Sequence, residues 1–255
     1  MQIYFLGTGT SQGIPVIGSN HPVCKSNDNK DKRLRVSVWI TWDNYSIVID
    51  CGPDFRQQML TSGCTKLDAL LFTHEHADHT AGLDDIRPFC FKQGNDIPVY
   101  GHIRVLNNLK RRFDYIFETE NKYPGAPNIQ TFEVVNNKPF ELGNIKIIPI
   151  NVNHGNLSVF GYRIRDFVYL TDVKTIDDSE IEKLEGTKVL VVNALREEPH
   201  HSHFSLQEAL DFIHLVKPER AFLTHISHLL GFYEDVQKKL PTNVFLAYDN
   251  LIITI

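Results

Sequence analysis

The sequence lacks long apolar segments and has few cysteines. No stretch approaches the roughly 18 apolar residues that a membrane-spanning helix requires, so the sequence predicts no membrane association. The first residues, MQIYFLGTGTS, have no basic cluster and too short an apolar run for an export signal. The four cysteines lie far apart, which is typical of reduced thiols in the cytosol. We therefore expect a cytoplasmic protein.

Low-complexity tracts, solenoid repeats and linker-like segments are also missing from the sequence. A single domain over residues 1–255 is therefore expected. The formal net charge of −5 argues against a protein held to extended nucleic acid or to a membrane by its overall charge. Short basic runs near residues 30–35 and 110–112 are typical of solvated surfaces.

Strand-like and helix-like patterns alternate along the chain. Apolar runs bounded by turn residues predict strands at 3–6, 36–42, 46–49, 68–72, 98–100, 145–152, 159–164, 167–170, 189–193 and 220–223. Helices are predicted at 54–60, capped by Asp54 and closed by Gly63, at 105–113, and at 206–216 after a Ser205–Glu208 capping box. Residues 244–247 and 251–254 predict a hairpin that turns at residues 249–250. Two β-rich halves with helices indicate an α+β fold in which two sheets pack face to face.

Residues 73–79, THEHADH, carry the strongest functional signal. They follow a predicted strand, and strand ends are positions at which a rigid scaffold presents ligands. His74 and His76 are two residues apart, so their rings lie on the same side of an extended backbone, and Asp78 and His79 follow directly. Imidazole and carboxylate groups suit zinc, manganese or iron better than calcium. A polar loop of solvated histidines is the alternative explanation.

Three further candidate ligands each come just after a predicted strand. They are His154, Asp172 and His225. A single histidine in such a position is more often a hydrogen-bonded surface residue. Three such residues in addition to the cluster at 73–79 favour a metal centre assembled from separate segments.

The order His-x-His-x-Asp-His, then a distant His, Asp and His, resembles the hallmark of the metallo-β-lactamase superfamily. The resemblance extends from Gly7-Thr8-Gly9 to 247–249 and implies the αββα four-layer sandwich. It also implies two metal ions, one held by His74, His76 and His154 and the other by Asp78, His79 and His225, with Asp172 bridging them. Asp50 matches a superfamily aspartate that orients a metal-bound histidine, and a turn-forming aspartate is the alternative.

The segment from Gly7 to Pro15, together with Cys24 and residues 224–228, is similar to the phosphoribosyl cyclic phosphodiesterase group, which is related to the tRNA 3′-processing nucleases. In that group three loop cysteines and a histidine hold a separate structural zinc. Here the three loop positions carry Ser19, His21 and Cys24, so the candidate structural zinc site is reduced to His21, Cys24 and His228. A loop held by hydrogen bonds is the alternative. The other cysteines are predicted to be buried apolar residues: Cys51, Cys64 and Cys90.

Residues 199–205, PHHSHFS, contain a further candidate catalytic residue. In the phosphodiesterase and nuclease branches, a histidine before this helix acts on the scissile phosphate, and His203 fits this position best. His201 is the second choice, and an exposed histidine-rich loop is the alternative. Because a helix N-terminus favours anions, a phosphate is expected there beside a protonated His203.

The resemblance implies a hydrolase that opens a small cyclic phosphodiester of ribose or of a nucleotide. Two divalent ions, zinc or manganese with iron as a third option, would hold a water and lower its pKa, with Asp78 and His203 as catalytic residues. An RNA 3′-end nuclease or a thioesterase is the first alternative, and a metal-binding scaffold or ligand carrier is the non-enzymatic one. Seven filled ligand positions weigh against the scaffold. The resemblance alone suggests a homodimer.

Overall fold

The computed structural model describes residues 1–255 and contains two seven-stranded sheets. The first sheet consists of β1 Gln2–Gly7, β2 Ser37–Trp42, β3 Tyr45–Ile49, β4 Ala69–Leu71, β5 Ile97–Gly101, β6 Ile129–Glu133 and β14 Ile252–Thr254. The second consists of β7 Phe140–Leu142, β8 Ile145–His154, β9 Leu157–Ile164, β10 Phe167–Tyr169, β11 Val189–Asn193, β12 Arg220–Thr224 and β13 Val244–Leu246. The strand orders are β14-β1-β2-β3-β4-β5-β6 and β13-β12-β11-β10-β9-β8-β7.

Each sheet changes from antiparallel to parallel pairing near its middle. Strands β1 to β3 pair antiparallel, and β3 to β6 pair parallel. In the second sheet β7 to β10 pair antiparallel, and β10 to β13 pair parallel. Neighbouring parallel strands end at the same edge of a sheet, and ligands commonly bind beyond that edge. The predicted ligands follow β4, β10 and β12.

The chain forms eight helices, several of which cover the outer faces of the sheets. They are α1 Phe55–Ser62, α2 Ala77–Thr80, α3 Arg87–Gln93, α4 Ile103–Arg112, α5 Asp114–Phe117, α6 Asp178–Ile181, α7 Leu206–Val216 and α8 Tyr233–Gln237. Residues of α1, α3 and α4 pack on the first sheet, and residues of α7 and α8 pack on the second. The result is the expected αββα sandwich. The longest helix, α7, has 11 residues, and none of the helices could span a membrane.

Alternating side chains within the strands separate three apolar layers. Ala69 and Leu71 face the core between the sheets, whereas Leu70 packs under the outer helices of the first sheet. Val191 likewise faces the central core, and its neighbour Leu190 faces α7. Successive residues of a strand point to opposite faces, so a continuous apolar run fits a sheet that is covered on both sides.

The predicted cap of the first helix is wrong. Asp54 precedes α1, but its carboxylate forms no hydrogen bond with the helix. It accepts a hydrogen bond from the backbone N–H of Arg35 (2.8 Å) and pairs with the Arg35 guanidinium at 3.1 Å. The partner is nineteen residues away in the sequence, so no local pattern shows it. Gly63 closes the helix in left-handed backbone, as predicted.

The predicted C-terminal hairpin is also wrong. Strand β13 pairs with β12 in the second sheet, whereas β14 pairs with β1 in the first. The residues between β13 and β14, which were predicted to form a turn, instead connect the second sheet to the first. Asp249 accepts hydrogen bonds from the Leu34 N–H (2.6 Å) and the Thr8 hydroxyl (2.7 Å), and the Asn250 N–H donates to the carbonyl of Phe5 (2.8 Å). These contacts with the N-terminal part of the chain separate two strands that would otherwise pair locally.

Candidate metal centre

The structure brings the seven predicted metal ligands and His203 together at one edge of the sandwich. Their nitrogen and oxygen atoms form four overlapping groups, and within each group the atoms lie within 4.8 Å of one another. The groups are His74, His76 and His154; His74, His79 and Asp172; Asp78, His79 and His225; and His154, Asp172 and His203. Most of these side chains are buried, although His76 is exposed and Asp78 is partly exposed.

Three residues of the site lie where a strand ends in left-handed backbone. Asp50 follows β3, Asp172 comes after β10 and His225 follows β12, with φ angles of 63°, 61° and 53°. Left-handed backbone costs a residue with a side chain roughly 1–2 kcal/mol. Aspartate and histidine tolerate it better than most residues do, and strain of this kind is concentrated at functional sites. The sharp turns point these side chains back over the ends of the strands.

Three of the imidazole rings are oriented by a hydrogen bond that Nδ1 donates. Nδ1 of His79 lies 2.7 Å from Asp50 Oδ2, and Nδ1 of His154 lies 2.7 Å from the carbonyl oxygen of Ser202. Nδ1 of His74 lies 3.0 Å from the hydroxyl of Thr73. In each ring Nε2 is left as the atom that can bind a cation, which is how carboxylates and carbonyls orient histidine ligands. The contact of Asp50 with His79 is the geometry that its predicted orienting role requires.

The unsatisfied atoms at the centre fit divalent cations. Nε2 of His79 and both ring nitrogens of His225 are buried without a hydrogen-bond partner. Nε2 of His79 lies 3.3 Å from Asp78 Oδ2 and 3.4 Å from Asp172 Oδ2, and Nε2 of His225 lies 3.3 Å from Asp172 Oδ1. A buried polar atom without a partner costs about 1–3 kcal/mol. Cations among these nitrogens and carboxylates would satisfy Nε2 of both rings.

The charge states also suit a cation. Burial lowers the pKa of His74 well below its ordinary value, so this ring is neutral. Burial alone would raise the pKa of Asp172, but His225 and His79 hold it well below its usual range. Burial likewise would lower the pKa of His79, yet Asp78, Asp172 and Asp50 raise it well above that of an ordinary histidine. A bound cation would replace the proton that these carboxylates hold on His79.

His203 lies deeper in the site than the sequence indicates. Its Nε2 is 3.0 Å from Asp172 Oδ1, and its Nδ1 is 3.1 Å from the hydroxyl of Ser202. Burial lowers the pKa of His203 to about 4, although the hydrogen bond with Asp172 acts in the opposite direction. The ring is therefore neutral at neutral pH, and the expected protonated form is not the resting state. His201 is exposed and lines the mouth of a cavity of about 400 Å³ together with His76 and His154.

The start of α7 does not offer the free N–H groups expected for an anion. The predicted capping box is present: the Ser205 N–H donates to the Glu208 carboxylate (2.8 Å), and the Glu208 N–H donates to the Ser205 hydroxyl (3.4 Å). The Leu206 N–H donates to the carbonyl of Arg196. Two of the first three N–H groups of the helix therefore already have partners, so a phosphate would have to rely on His203 and its neighbours.

The candidate structural zinc site is only partly assembled. The rings of His21 and His228 lie 5.0 Å apart, and Nδ1 of His228 is buried without a hydrogen-bond partner, but the two histidines and Cys24 do not form a group whose ligand atoms all lie within 4.8 Å of one another. Nδ1 of His21 accepts from the Val23 N–H (3.3 Å), and Sγ of Cys24 accepts from the Val16 N–H (3.5 Å). The structural zinc site therefore stays a prediction. The other three cysteines, Cys51, Cys64 and Cys90, are buried as predicted.

Two residues that support the ligands were not predicted from the sequence. Thr73 donates its backbone N–H and its hydroxyl to Asp50 at 2.9 and 2.8 Å, so it links the supporting carboxylate to the ligand cluster. Ser202 contacts His154 through its carbonyl and His203 through its hydroxyl. The only signal in the sequence was that Thr73 directly precedes the predicted ligand His74 and that Ser202 directly precedes His203.

The chain belongs to the β-lactamase superfamily, because residues 45–226 match the family described as "Beta-lactamase superfamily domain". Its fold is the metallo-β-lactamase fold. A crystal structure of a diphosphatase from the PhnP family superposes with a TM-score of 0.92 and 38% sequence identity, covering 99% of this chain and 96% of that one. Human tRNase Z, short form, shares the fold at a TM-score of 0.71, with 19% identity and coverage of 100% and 99% of the two chains.

Curated relatives carry two different names. An octanoyltransferase of Porphyromonas gingivalis is 39% identical over 253 residues, which cover 98% of this chain and 51% of that protein. A ribonuclease Z of Bacillus licheniformis is 28% identical over 170 residues, which cover 65% of this chain and 49% of that protein. The chain thus spans about half the length of these relatives. Fold and site together define a member of this superfamily with a candidate site for divalent metal ions.

Proposed function

We propose that this protein hydrolyses a small phosphodiester, such as a cyclic phosphate of ribose or of a nucleotide, with the help of two divalent ions. The observation that carries the proposal is that seven ligand side chains, Asp172 among them, converge with His203 at one site. Zinc or manganese is expected, with iron as a third option. When bound, such ions supply Lewis acidity and lower the pKa of water.

The grouping of ligand atoms supports two positions for ions. His74, His76 and His154 would hold one ion, and Asp78, His79 and His225 the other. Asp172 Oδ1 lies 3.9 Å from Nε2 of His154, a ligand of the first ion, and the carboxylate lies 3.4 Å from His79 and 3.3 Å from His225, ligands of the second, so it would contact both ions. Asp50, Thr73 and the Ser202 carbonyl would keep the rings of the ligands in place.

His203 is the residue placed to act on the phosphate. If its Nδ1 accepts from the Ser202 hydroxyl, its proton lies on Nε2, the atom that faces Asp172. From there a neutral His203 would donate a hydrogen bond to a phosphoryl oxygen or to the departing sugar oxygen. Hydrolysis adds water across one P–O ester bond, and the sugar oxygen leaves with a proton. The cavity of about 400 Å³ at His76 and His154 opens widely to the surface and has the size for a small substrate.

A diphosphate ester is the second candidate substrate. The PhnP-family structure with 38% identity is described as a diphosphatase, and displacement at phosphorus requires the same groups in both reactions. The ribonuclease Z relatives keep an RNA 3′ end as a third option, although their identity is lower and their coverage is partial. No contact in the site specifically favours a thioester.

The proposed function is tested by assaying one substrate of each class. Purified protein with zinc or manganese is given bis(p-nitrophenyl) phosphate, adenosine 2′,3′-cyclic phosphate, a diphosphate ester, a short RNA and a thioester. Turnover of the two small phosphodiesters is expected to exceed that of the thioester and of the RNA. Failure to turn over any phosphorus ester with either metal would refute the proposal and favour a metal-binding scaffold.

Replacing His203 is expected to slow phosphodiester hydrolysis strongly. The change His203→Ala removes the hydrogen-bond donor beside Asp172, and losses of roughly 10²–10⁴-fold in kcat are typical for a group that assists proton transfer. His214→Ala is the control, because His214 is an exposed histidine of α7 that does not line the cavity, and less than a tenfold change is expected. His201→Ala, at the mouth of the cavity, tests the second choice. Unchanged turnover in His203→Ala, or a larger loss in His201→Ala, would remove His203 from this role.

A further inference from the structure

His200 lies behind the candidate catalytic histidine and belongs to none of the groups of convergent ligand atoms. Its Nδ1 is 3.1 Å from Nδ1 of His203, and the centroids of the two rings are 5.0 Å apart. The Ser202 hydroxyl lies beside this contact, 3.1 Å from Nδ1 of His203 and 3.3 Å from Nδ1 of His200. His203 reaches Asp172 with its other nitrogen, Nε2, at 3.0 Å. A row of contacts therefore leads from the partly exposed ring of His200 through His203 to Asp172.

The contact between the two Nδ1 atoms requires a proton between them. In a neutral imidazole one ring nitrogen carries a proton and the other offers a lone pair. Two lone pairs that face each other at 3.1 Å would repel, whereas an N–H group and a lone pair form a hydrogen bond of ordinary length. One of the two Nδ1 atoms is therefore the donor, and the other contacts of each ring decide which one.

The contact with Asp172 favours His200 as the donor. An ionised carboxylate only accepts hydrogen bonds, so the proton of a neutral His203 lies on Nε2 and its Nδ1 is the acceptor. A hydrogen bond to a charged group is roughly twice as strong as one between neutral groups. The contact that favours the opposite direction is weaker, because the Ser202 N–H lies 3.4 Å from Nδ1 of His200, the longest distance in this cluster.

We propose that His200 is a positioning residue, which donates from Nδ1 to Nδ1 of His203 and so keeps the proton of His203 on Nε2, the atom that would face the phosphate. The inference rests on the proposed function, in which a neutral His203 donates from Nε2. Asp172 is also a proposed ligand of both ions, so a second contact on the far side of the ring has to hold this proton in place. The Ser202 hydroxyl alone does not do so, because a hydroxyl can either donate or accept.

Substrates with different leaving groups test the role of His200. A sugar oxygen needs a proton as it departs, whereas p-nitrophenolate leaves as a stable anion. His200→Ala is therefore expected to lower kcat for adenosine 2′,3′-cyclic phosphate about 10-fold more than kcat for bis(p-nitrophenyl) phosphate, with little change in KM. His200→Asn should recover most of this loss, since its amide NH₂ group can donate from the position of Nδ1. His214→Ala, at an exposed histidine of α7, is the control and should leave the ratio of the two rates unchanged.

Nitrogen NMR of zinc-loaded protein with isotope-labelled histidine tests the position of the proton without turnover. The signals of His203 are those that disappear in His203→Ala. In the wild type they are expected to show a protonated Nε2 and an unprotonated Nδ1, and in His200→Ala to shift toward the reverse pattern. Bound metal, determined by mass spectrometry, should be the same in His200→Ala as in the wild type, because His200 is not among the ligands.

The outcomes separate this inference from the proposed function. If the wild type hydrolyses both substrates and His200→Ala changes neither the ratio of the rates nor the signals of His203, only the role of His200 fails. An equal loss with both substrates would also overturn it, as a general structural effect, and so would a proton on Nδ1 of His203 in the wild type. Absence of all phosphodiester turnover in the wild type refutes the proposed function, whereas the signals of His203 still decide the direction of the hydrogen bond.

Discussion

Asp172→Ala is expected to lower kcat for phosphodiester hydrolysis by at least about 10³-fold, the scale seen when a residue of an interdependent catalytic group is removed. The Asp172 carboxylate lies within 3.4 Å of His79, His203 and His225 and 3.9 Å from Nε2 of His154, so one change disturbs both proposed ion positions and the catalytic histidine. Without the Asp172 carboxylate, the imidazoles of His79, His203 and His225 lose the negative charge that they share. The measurements are kcat with bis(p-nitrophenyl) phosphate and bound metal determined by mass spectrometry.

Asp177→Ala provides the control for this prediction. Asp177 is an exposed aspartate five residues further along the chain, and its side chain makes no cap hydrogen bond at α6. Its removal should leave turnover and metal content within about twofold of the wild type, as is usual for surface changes away from special features. An Asp172→Ala protein with full metal content and nearly normal turnover would show that the bridge at the centre is misassigned.

Asp249→Ala is expected to lower the free energy of unfolding by about 2–4 kcal/mol, because two hydrogen-bond donors lose their acceptor and an unsatisfied buried polar group costs about 1–3 kcal/mol. Asp249 accepts hydrogen bonds from Leu34 and Thr8, and the nearby Arg33 is only 3% exposed. Arg33 in turn donates to the Thr8 hydroxyl (2.7 Å) and to the carbonyl of Ala247 (2.5 Å). This cluster fastens the crossing between the two sheets, and the change leaves the Arg33 charge without its main partner.

Urea denaturation at several pH values measures this effect. Burial raises the pKa of Asp249 to about 6 in the folded protein, against about 3.9 for an unfolded chain. A raised folded-state pKa means that the pH-dependent part of the stability from this group is complete below about pH 4 and is lost as the pH rises through 6, whereas the hydrogen bonds from Leu34 and Thr8 remain. Asp249→Ala should lack this pH dependence.

Asp235→Ala, at an exposed position of α8, is the matched control for Asp249→Ala and should change the free energy of unfolding by less than about 0.5 kcal/mol. The double variant Arg33→Met/Asp249→Ala should recover part of the stability that Asp249→Ala loses, because it removes the unpaired charge. A loss below about 1 kcal/mol in Asp249→Ala would contradict the role given to the cluster.

Much of the fold follows from local patterns. Strands such as β8, β11 and β12 are apolar runs because each lies between two apolar layers, and α7 begins at a capping box that the sequence shows directly. The edge strands β6 and β7 were not predicted, since β6 is largely half-exposed or exposed and β7 has only three residues. The end of the chain was misassigned because its partners Thr8 and Leu34 lie more than 200 residues away.

Some features of the site likewise follow from residues that are close in sequence, whereas others depend on residues that are distant in sequence. The spacing of His74, His76, Asp78 and His79 places candidate ligands on one short segment, and a strand before each later ligand indicates where it lies. Burial depends on what packs over a residue, so the neutral state of His203 could not be predicted from its neighbours in sequence. The loop at His21 likewise resembled a metal site in residue types, and the sequence could not show that Nδ1 of His21 and Sγ of Cys24 accept hydrogen bonds from backbone N–H groups nearby.

The number of ions bound per chain tests the central claim most directly. Metal-depleted protein is titrated with zinc or manganese while bound metal is counted by mass spectrometry and turnover of bis(p-nitrophenyl) phosphate is followed. Two ions per chain are expected, with turnover rising as the second ion binds, because the ligand atoms form two sets linked by Asp172. Full turnover with a single ion, or saturation without any turnover, would contradict a two-metal hydrolytic centre.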